Sequence, residues 1–181
     1  MIVWLNGAFG SGKTTLAAEL SRRWPEALVY DPERIGYVLR DIVAVPTGNF
    51  QDLPLWRRQA AAMAIGLAEE YGRPVLAPMT VVDPGYLGEI FGALMGAGVT
   101  VHHFFLKVSP EVLERRLDAR VVAPGDPERD EAARRWGKEQ IAPCTAAVDR
   151  MPGDTVFLDG ERPSRELAEE VLARLGVAAG P

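Results

Sequence analysis

Three glycines, a lysine and a threonine fall together near the N-terminus in the run G-A-F-G-S-G-K-T, residues 7–14. Glycine at Gly7, Gly10 and Gly12 tolerates positive φ and close approach, so the backbone can wrap until several N–H groups converge on one point. Converging N–H groups bind an anion. The lysine and hydroxyl that follow add an ammonium and a ligand for a divalent cation. The pattern is G-x-x-x-x-G-K-[ST], a phosphate-binding loop, which requires a strand before it and a helix after it. Both are present. The apolar run I-V-W-L-N precedes the loop, and from Lys13 apolar residues recur at Leu16, Ala17, Leu20 and Trp24 until Pro25 stops the period. A helix opening at Lys13 aims free N–H groups and its positive dipole end at the anion. Gly7, Ala8, Phe9, Gly10, Ser11, Gly12, Lys13, Thr14 and Thr15 are therefore expected to hold ATP or GTP. Lys13 would reach the β- and γ-phosphates, and Thr14 would ligate Mg2+.

Such loops serve switch GTPases, motor ATPases and small-molecule kinases alike. A GTPase also needs D-x-x-G and N-K-x-D, and neither occurs. A motor ATPase should show an apolar strand ending in Asp, whereas Val75 to Met79 runs into Thr80 and the nearest acid is Asp83. The second β-rich run ends in Tyr30-Asp31-Pro32-Glu33. An acid just past that strand lies beside the phosphate loop, where small kinases keep a carboxylate that orients Mg2+ water or accepts the substrate's proton. Asp31 is the candidate catalytic acid and metal partner, and it also suits a helix cap before Pro32. Glu33 is either a first-turn acid on the helix dipole or a substrate contact.

Farther on, Arg116 and Arg120 lie four apart on one helical face. Residues 121–130, rich in Pro, Gly and charge, show no apolar period and read as a mobile lid, extending over about 120–138. Phosphoryl transfer spreads negative charge over the moving group, and lid arginines neutralise it. Arg120 is expected to act in catalysis and, with Arg116, in holding the nucleotide; Arg129, Arg134 and Arg135 are further candidates. The bland reading is a basic helix end favoured by the dipole.

These residues need a frame. Strands are expected at about 2–6, 27–30, 74–79, 99–108 and 155–158, each dense in apolar residues as strands buried on both faces should be. Amphipathic helices alternate with them, with stripes through Ile35 and Leu39, then Leu53, Trp56, Ala60, Met63 and Leu67, then Leu87, Ile90 and Leu94, then Leu113 and Leu117, and last Leu167, Val171 and Leu172. Asp31-Pro32, Asp83-Pro84 and Ser109-Pro110 read as capped helix starts. The alternation predicts an α/β fold: a doubly wound, mostly parallel five-stranded sheet with helices on both faces. With 181 residues, one domain is expected, with ligands beyond the carboxyl ends of the strands. A net charge of −5 argues against a broad nucleic-acid surface. One cysteine, Cys144, excludes an internal disulfide and points to the cytoplasm. No apolar run is long enough to span a bilayer, and no basic leader precedes the first strand.

Taken together, W-L-N-G-A-F-G-S-G-K-T, D-P-E-R-I-G-Y-V-L-R, F-Q-D-L-P-L-W-R, P-M-T-V-V-D-P, V-H-H-F and W-G-K-E-Q-I-A-P-C make the sequence resemble the bacterial tunicamycin resistance protein family, over about residues 1–147. The resemblance implies an ATP-binding, kinase-like protein that protects against tunicamycin, a uracil nucleoside antibiotic bearing sugars and a fatty acyl chain. It places the helix over residues 31–40 against the drug. The acidic, proline-rich lid departs from the family pattern. Some members contact membranes peripherally, and nothing in this chain requires that. From the residues alone, the segment about 33–72 offers Glu33, Arg34, Tyr37, Arg40, Gln51 and Trp56 beyond the sheet edge, with Met79 and Thr80 at the pocket mouth. Aromatics stack on a pyrimidine, and Arg or Gln reads polar edges. Trp56 also lies on an apolar stripe, which favours a core role. Three functions stay open: a kinase for the antibiotic, a protein that sequesters it with ATP bound, and a kinase for another small hydroxyl compound or nucleotide. Of the two histidines, His102 and His103, one is expected to pack under a helix.

Overall fold

The computed structural model describes residues 1–121 and 123–178. Five strands form one sheet: β1 (Ile2–Gly7), β2 (Leu28–Val29), β3 (Val75–Pro78), β4 (Val101–Lys107) and β5 (Val156–Asp159). Their order is β2-β3-β1-β4-β5, and every pairing is parallel. The doubly wound sheet is thus as expected, with wholly parallel pairing. The central β1 is buried along its length, which explains its unbroken apolar sequence. Register sets Asn6 opposite Phe105 and Gly7 opposite Leu106, so the first strand ends level with the carboxyl end of β4.

Helices α1 (Lys13–Arg23) and α8 (Ser164–Leu175) cover one face, closing a core with Val3, Leu5, Leu16, Leu20, Leu158 and Val171. Helices α3 (Pro54–Tyr71) and α4 (Pro84–Gly96) cover the other, around Trp4, Trp56, Ala60, Leu87, Ile90 and Leu94. Alternation along β1 divides the two cores: Val3 and Leu5 face one, Ile2 and Trp4 the other. Met63, placed on the α3 stripe by its spacing, points to solvent instead. A single 3-10 turn, Phe50–Asp52, precedes α3, which starts at Pro54. Asn49 caps that turn by accepting from Gln51 N.

Between β2 and that turn lies α2 (Glu33–Ile42). The Asp-Pro device works differently at each start. Asp83 accepts from Tyr86 N with Pro84 in the first turn of α4. Asp31 accepts from Glu33 N at 3.0 Å, and Pro32 stands one position earlier than expected, before the helix proper. Ser109 does not cap α5 (Pro110–Asp118) with its side chain; its hydroxyl donates to Glu161 at 2.6 Å.

The later part of the expected lid, from Pro127 on, is helical. Helix α6 (Pro127–Glu139) begins at a third Asp-Pro pair, Asp126 accepting from Arg129 N, and α7 (Ile141–Ala146) follows. Charged residues on α6 obscured its period, and the cap was the legible signal. Val122 lies outside the described residues. No helix among the described residues is long and apolar enough to cross a membrane.

Two packing details make testable statements. Gly36 sits inside α2 with Phe50 against it; a Cβ there would come within 2.5 Å of Phe50 Cγ and 2.6 Å of Cδ1. Phe50 cannot retreat freely, because it is buried with Trp56 at 5.3 Å between ring centroids. Gly36→Ala should cost about 1–3 kcal/mol by overpacking, lowering the thermal midpoint on the order of 5 °C in calorimetry. The second detail is His103. It packs under α4, edge-on to Phe91 at 5.1 Å, and bonds Thr155 at 2.8 Å. Burial pushes its pKa down from 6.5 to about 4, with Asp154 opposing that shift. Between those values the unfolded chain takes up a proton that the folded chain refuses. Stability is therefore full above pH 6.5 and falls as pH drops towards 4. Across that window the thermal midpoint should fall about 5 °C more in the parent than in His103→Gln.

Candidate functional site

The phosphate-loop sequence folds as a tight bend from the end of β1 into α1. Gly7, Gly10 and Gly12 take φ of 136°, 81° and 99°, values that side chains rarely adopt. At Gly7 there is no room either, since a Cβ would meet Leu106 O at 2.8 Å. Helix α1 opens at Lys13 with no side-chain cap and no acid in its first turn. Its positive end is thus left for an external anion.

Lys13 folds back over this bend. Its half-buried ammonium donates to Gly7 O at 2.9 Å and Ala8 O at 2.7 Å, and lies 5.6 Å from the Phe9 ring. Burial pulls its pKa down to about 8; Cys144 and Glu33 oppose this and Arg120 adds to it. Glu33 and Arg120 are thus within electrostatic reach of the ammonium. Thr14 and Thr15 are exposed at the first turn of α1. Ser11 is buried, and its hydroxyl has no hydrogen-bond partner.

The donor set fits a nucleotide triphosphate: glycine-built amides, an uncapped helix start, an ammonium and an exposed threonine hydroxyl. The exposed Thr14 hydroxyl also suits a divalent cation shared with phosphate oxygens, and Asp31 stands just after β2, at the start of α2. Among the described residues no group of three or more His, Cys, Asp or Glu is gathered as a metal cluster.

Of the expected arginines, Arg116 reaches the loop. Its Nη1 donates to Gly160 O at 3.0 Å and lies 3.4 Å from both Gly10 O and Ser11 O, tying α5 to the phosphate loop and to the turn after β5. Arg120 is exposed beyond the end of α5. Arg134 is engaged by Asp130 and Glu131 on its own helix. Helix α6 docks on the loop through Trp136, whose ring stands edge-on to Phe9 at 4.7 Å. Cys144 is a buried filler beside Ala8, Leu113 and Leu117, and burial raises its thiol to about 11.

Of the expected substrate contacts, Glu33, Arg34, Tyr37 and Arg40 lie on α2 and Gln51 on the 3-10 turn. Tyr37 donates to Glu33 at 3.0 Å, and burial with that carboxylate pushes its phenol up to about 12. Arg40 lies over the Phe50 ring at 5.0 Å and donates to Gly48 O. Three expected substrate contacts are corrected by burial. Trp56 is fully buried, its indole N–H donating to Pro32 O at 3.1 Å, so it shapes the start of α2 from within the core. Met79 is core. Thr80 is buried and donates through Oγ1 to Gly7 O at 2.7 Å, bracing the phosphate loop from behind.

Two groups were missed by sequence reading. Arg57, buried on α3, donates to Glu89 at 2.6 Å and to Gln51 O at 2.5 Å, with its guanidinium 4.1 Å from the Tyr86 ring. Gln51 in turn donates to Thr80 O at 2.7 Å. A continuous set of contacts thus runs from α4 through Arg57, Gln51 and Thr80 to Gly7. An arginine within an apolar helix was the available signal. The other group is Asn6, buried immediately before the loop. A cavity of about 250 Å³ also touches the loop, at Ala8, between β4 and α7.

Comparison with known proteins agrees with this architecture. The tunicamycin resistance protein of Deinococcus radiodurans superposes with a TM-score of 0.72 at 22% identity, covering 99% of this chain and 98% of that one. A sugar kinase from a Janibacter species gives 0.68 at 20%, covering 98% and 95%. The APS kinase of Mycobacterium tuberculosis, solved with AMPPNP and APS, gives 0.67 at 21%, covering 97% and 96%. The fold is that of P-loop kinases. No curated protein sequence matches the chain. A family described as an AAA domain matches residues 2–144, most of the chain. That match spans well over half of the chain, and the chain belongs to this AAA-domain family.

Proposed function

We propose that the chain is an ATP-dependent phosphotransferase that phosphorylates a hydroxyl of a nucleoside antibiotic of the tunicamycin type. The observation that carries this reading is the glycine-built bend at Gly7 to Thr14, over which the Lys13 ammonium folds back. The similarity to a tunicamycin resistance protein and to small-molecule kinases supports the choice of substrate class.

In this reading, the amides of residues 7–15 hold the phosphate chain of ATP and Lys13 neutralises its β- and γ-oxygens. Thr14 and Asp31 would hold Mg2+, which supplies further charge neutralisation when bound. Arg116 holds the nucleotide side together, and Arg120 meets charge on the transferring group. The acceptor hydroxyl oxygen forms a bond to the γ-phosphorus as the bridging P–O bond to the β-phosphate breaks. ADP departs, and the hydroxyl proton passes to Asp31. Its Oδ1 is occupied by Glu33 N, which leaves Oδ2 for this role. Glu33, Arg34, Tyr37, Arg40 and Gln51 face the acceptor. Phosphorylation would add a dianion to the drug and spoil its fit to its target.

The test is to incubate protein, Mg-ATP and tunicamycin, and to follow the drug by mass spectrometry. A gain of one phosphate is expected; tight drug binding with no such gain would replace transfer by sequestration. Lys13→Ala should weaken ATP binding at least tenfold in calorimetry, because it removes the charge that faces the phosphates. Asp31→Asn should reduce turnover on the order of a hundredfold while ATP binding survives. Should Glu33→Gln abolish turnover and Asp31→Asn leave it intact, the proton acceptor lies two residues farther along.

A further inference from the structure

Asn6, the last residue but one of the central strand, is fully buried. An amide there has one oxygen and two N–H donors to satisfy. Oδ1 accepts from Gly7 N at 2.8 Å and from Val81 N at 3.0 Å. Nδ2 donates to Val81 O at 2.7 Å and faces His103 Nε2 at 3.2 Å. Two backbone N–H groups bond only to an oxygen, so the amide cannot be turned round. Nδ2 must then face His103, and Nε2 must accept. That leaves the ring proton on Nδ1, where it is donated to Thr155 Oγ1 at 2.8 Å. The tautomer of His103 and the orientation of Asn6 are one linked choice.

That choice reaches the phosphate loop. Gly7 N, the first amide of the bend, is pinned by Asn6; Gly7 O, the other end of the same residue, is pinned by Thr80 and Lys13. Val81 is held to Asn6 through both its N–H and its carbonyl, so the segment after β3 is fastened to β1 where the bend begins. Gly7 has φ of 136° and no room for a Cβ, so its peptide direction is not set by any side chain of its own. Neighbouring groups must set it.

We propose that Asn6 is a positioning residue for phosphate binding, and that His103, whose Nε2 accepts from Asn6 Nδ2 while its Nδ1–H donates to Thr155, steadies the Asn6 amide in the orientation that pins both Gly7 and Val81. The proposal rests on the reading that this loop binds a triphosphate. Asn6 touches no phosphate; it acts by aiming the first peptide of the bend.

The probe is AMPPNP with Mg2+, titrated calorimetrically into the full chain. Asn6→Ala should raise Kd about tenfold or more while the circular dichroism spectrum of the fold is kept. His103→Phe should raise it severalfold. His103→Gln, whose Oε1 can accept from Asn6, should recover most of the loss. In turnover assays the change should fall on KM for ATP, with kcat at saturating nucleotide close to the parent's. Lower thermal midpoints with unchanged Kd in all three variants would overturn the proposal, because a merely structural role predicts that result. A separate arm needs neither a variant nor a nucleotide. Nitrogen-15 NMR of the His103 ring at neutral pH should show Nδ1 protonated and Nε2 bare; a protonated Nε2 overturns the anchor outright. If the parent binds no nucleotide, the proposed function fails, and the ring spectrum still decides whether the anchor exists.

Discussion

One backbone carbonyl sits where the demands of this molecule meet. Gly7 O accepts from Lys13 Nζ at 2.9 Å and from Thr80 Oγ1 at 2.7 Å. The first bond lies within the phosphate loop itself, the second comes from the segment that follows β3. A carbonyl with two lone pairs can serve both at once. It can do so only because a residue without a side chain occupies the position, with Leu106 O too near for a Cβ. The requirement for glycine there is thus partly conformational and partly a matter of space claimed by the neighbouring strand. Parallel pairing brings Leu106 opposite Gly7, and so the sheet itself imposes the constraint on the loop.

Around that point the two faces of the sheet do different work. The side with α1 and α8 is apolar packing, with Leu16, Leu20, Val171 and Leu172 closing on Leu5 and Leu158. The other side mixes packing with polar wiring. Trp56 is buried yet spends its N–H on Pro32 O, and Arg57 one residue later is buried yet satisfied by Glu89 and Gln51. Buried polar groups cost free energy unless every partner is present, and the partners here all belong to segments that bound the site. Removing Glu89 would leave the buried Arg57 guanidinium short of a partner, so these two residues are energetically coupled.

The phosphate loop and the sheet were legible because their signals are local and repeated. Glycine spacing, a following lysine and an apolar strand fall within fourteen residues, and strand–helix alternation fixes the topology class. Helix α6 was hidden because its surface is mostly charged, although Asp126-Pro127 marked its start as Asp83-Pro84 marked that of α4. The acceptor side was less legible still. Trp56, Met79 and Thr80 have types that suit a pocket, and only tertiary packing turns them inward, the first two into the core and Thr80 behind Gly7. Asn6, Arg57 and the tautomer of His103 depend on partners 32 to 97 positions away in the chain, which no window of sequence contains.

Lys13, bonded to carbonyls of its own loop, has a consequence for exchange at the site. Those two oxygens act as a built-in competitor, so an arriving phosphate chain must outbid them for the ammonium. What counts is the difference between the two sets of bonds, and that difference shrinks as the ligand's charge shrinks. A shorter phosphate chain recovers less, and the lysine has somewhere to return when it leaves. In the proposed transfer, self-satisfaction of this kind would weaken the grip on whatever remains after a phosphoryl group has gone.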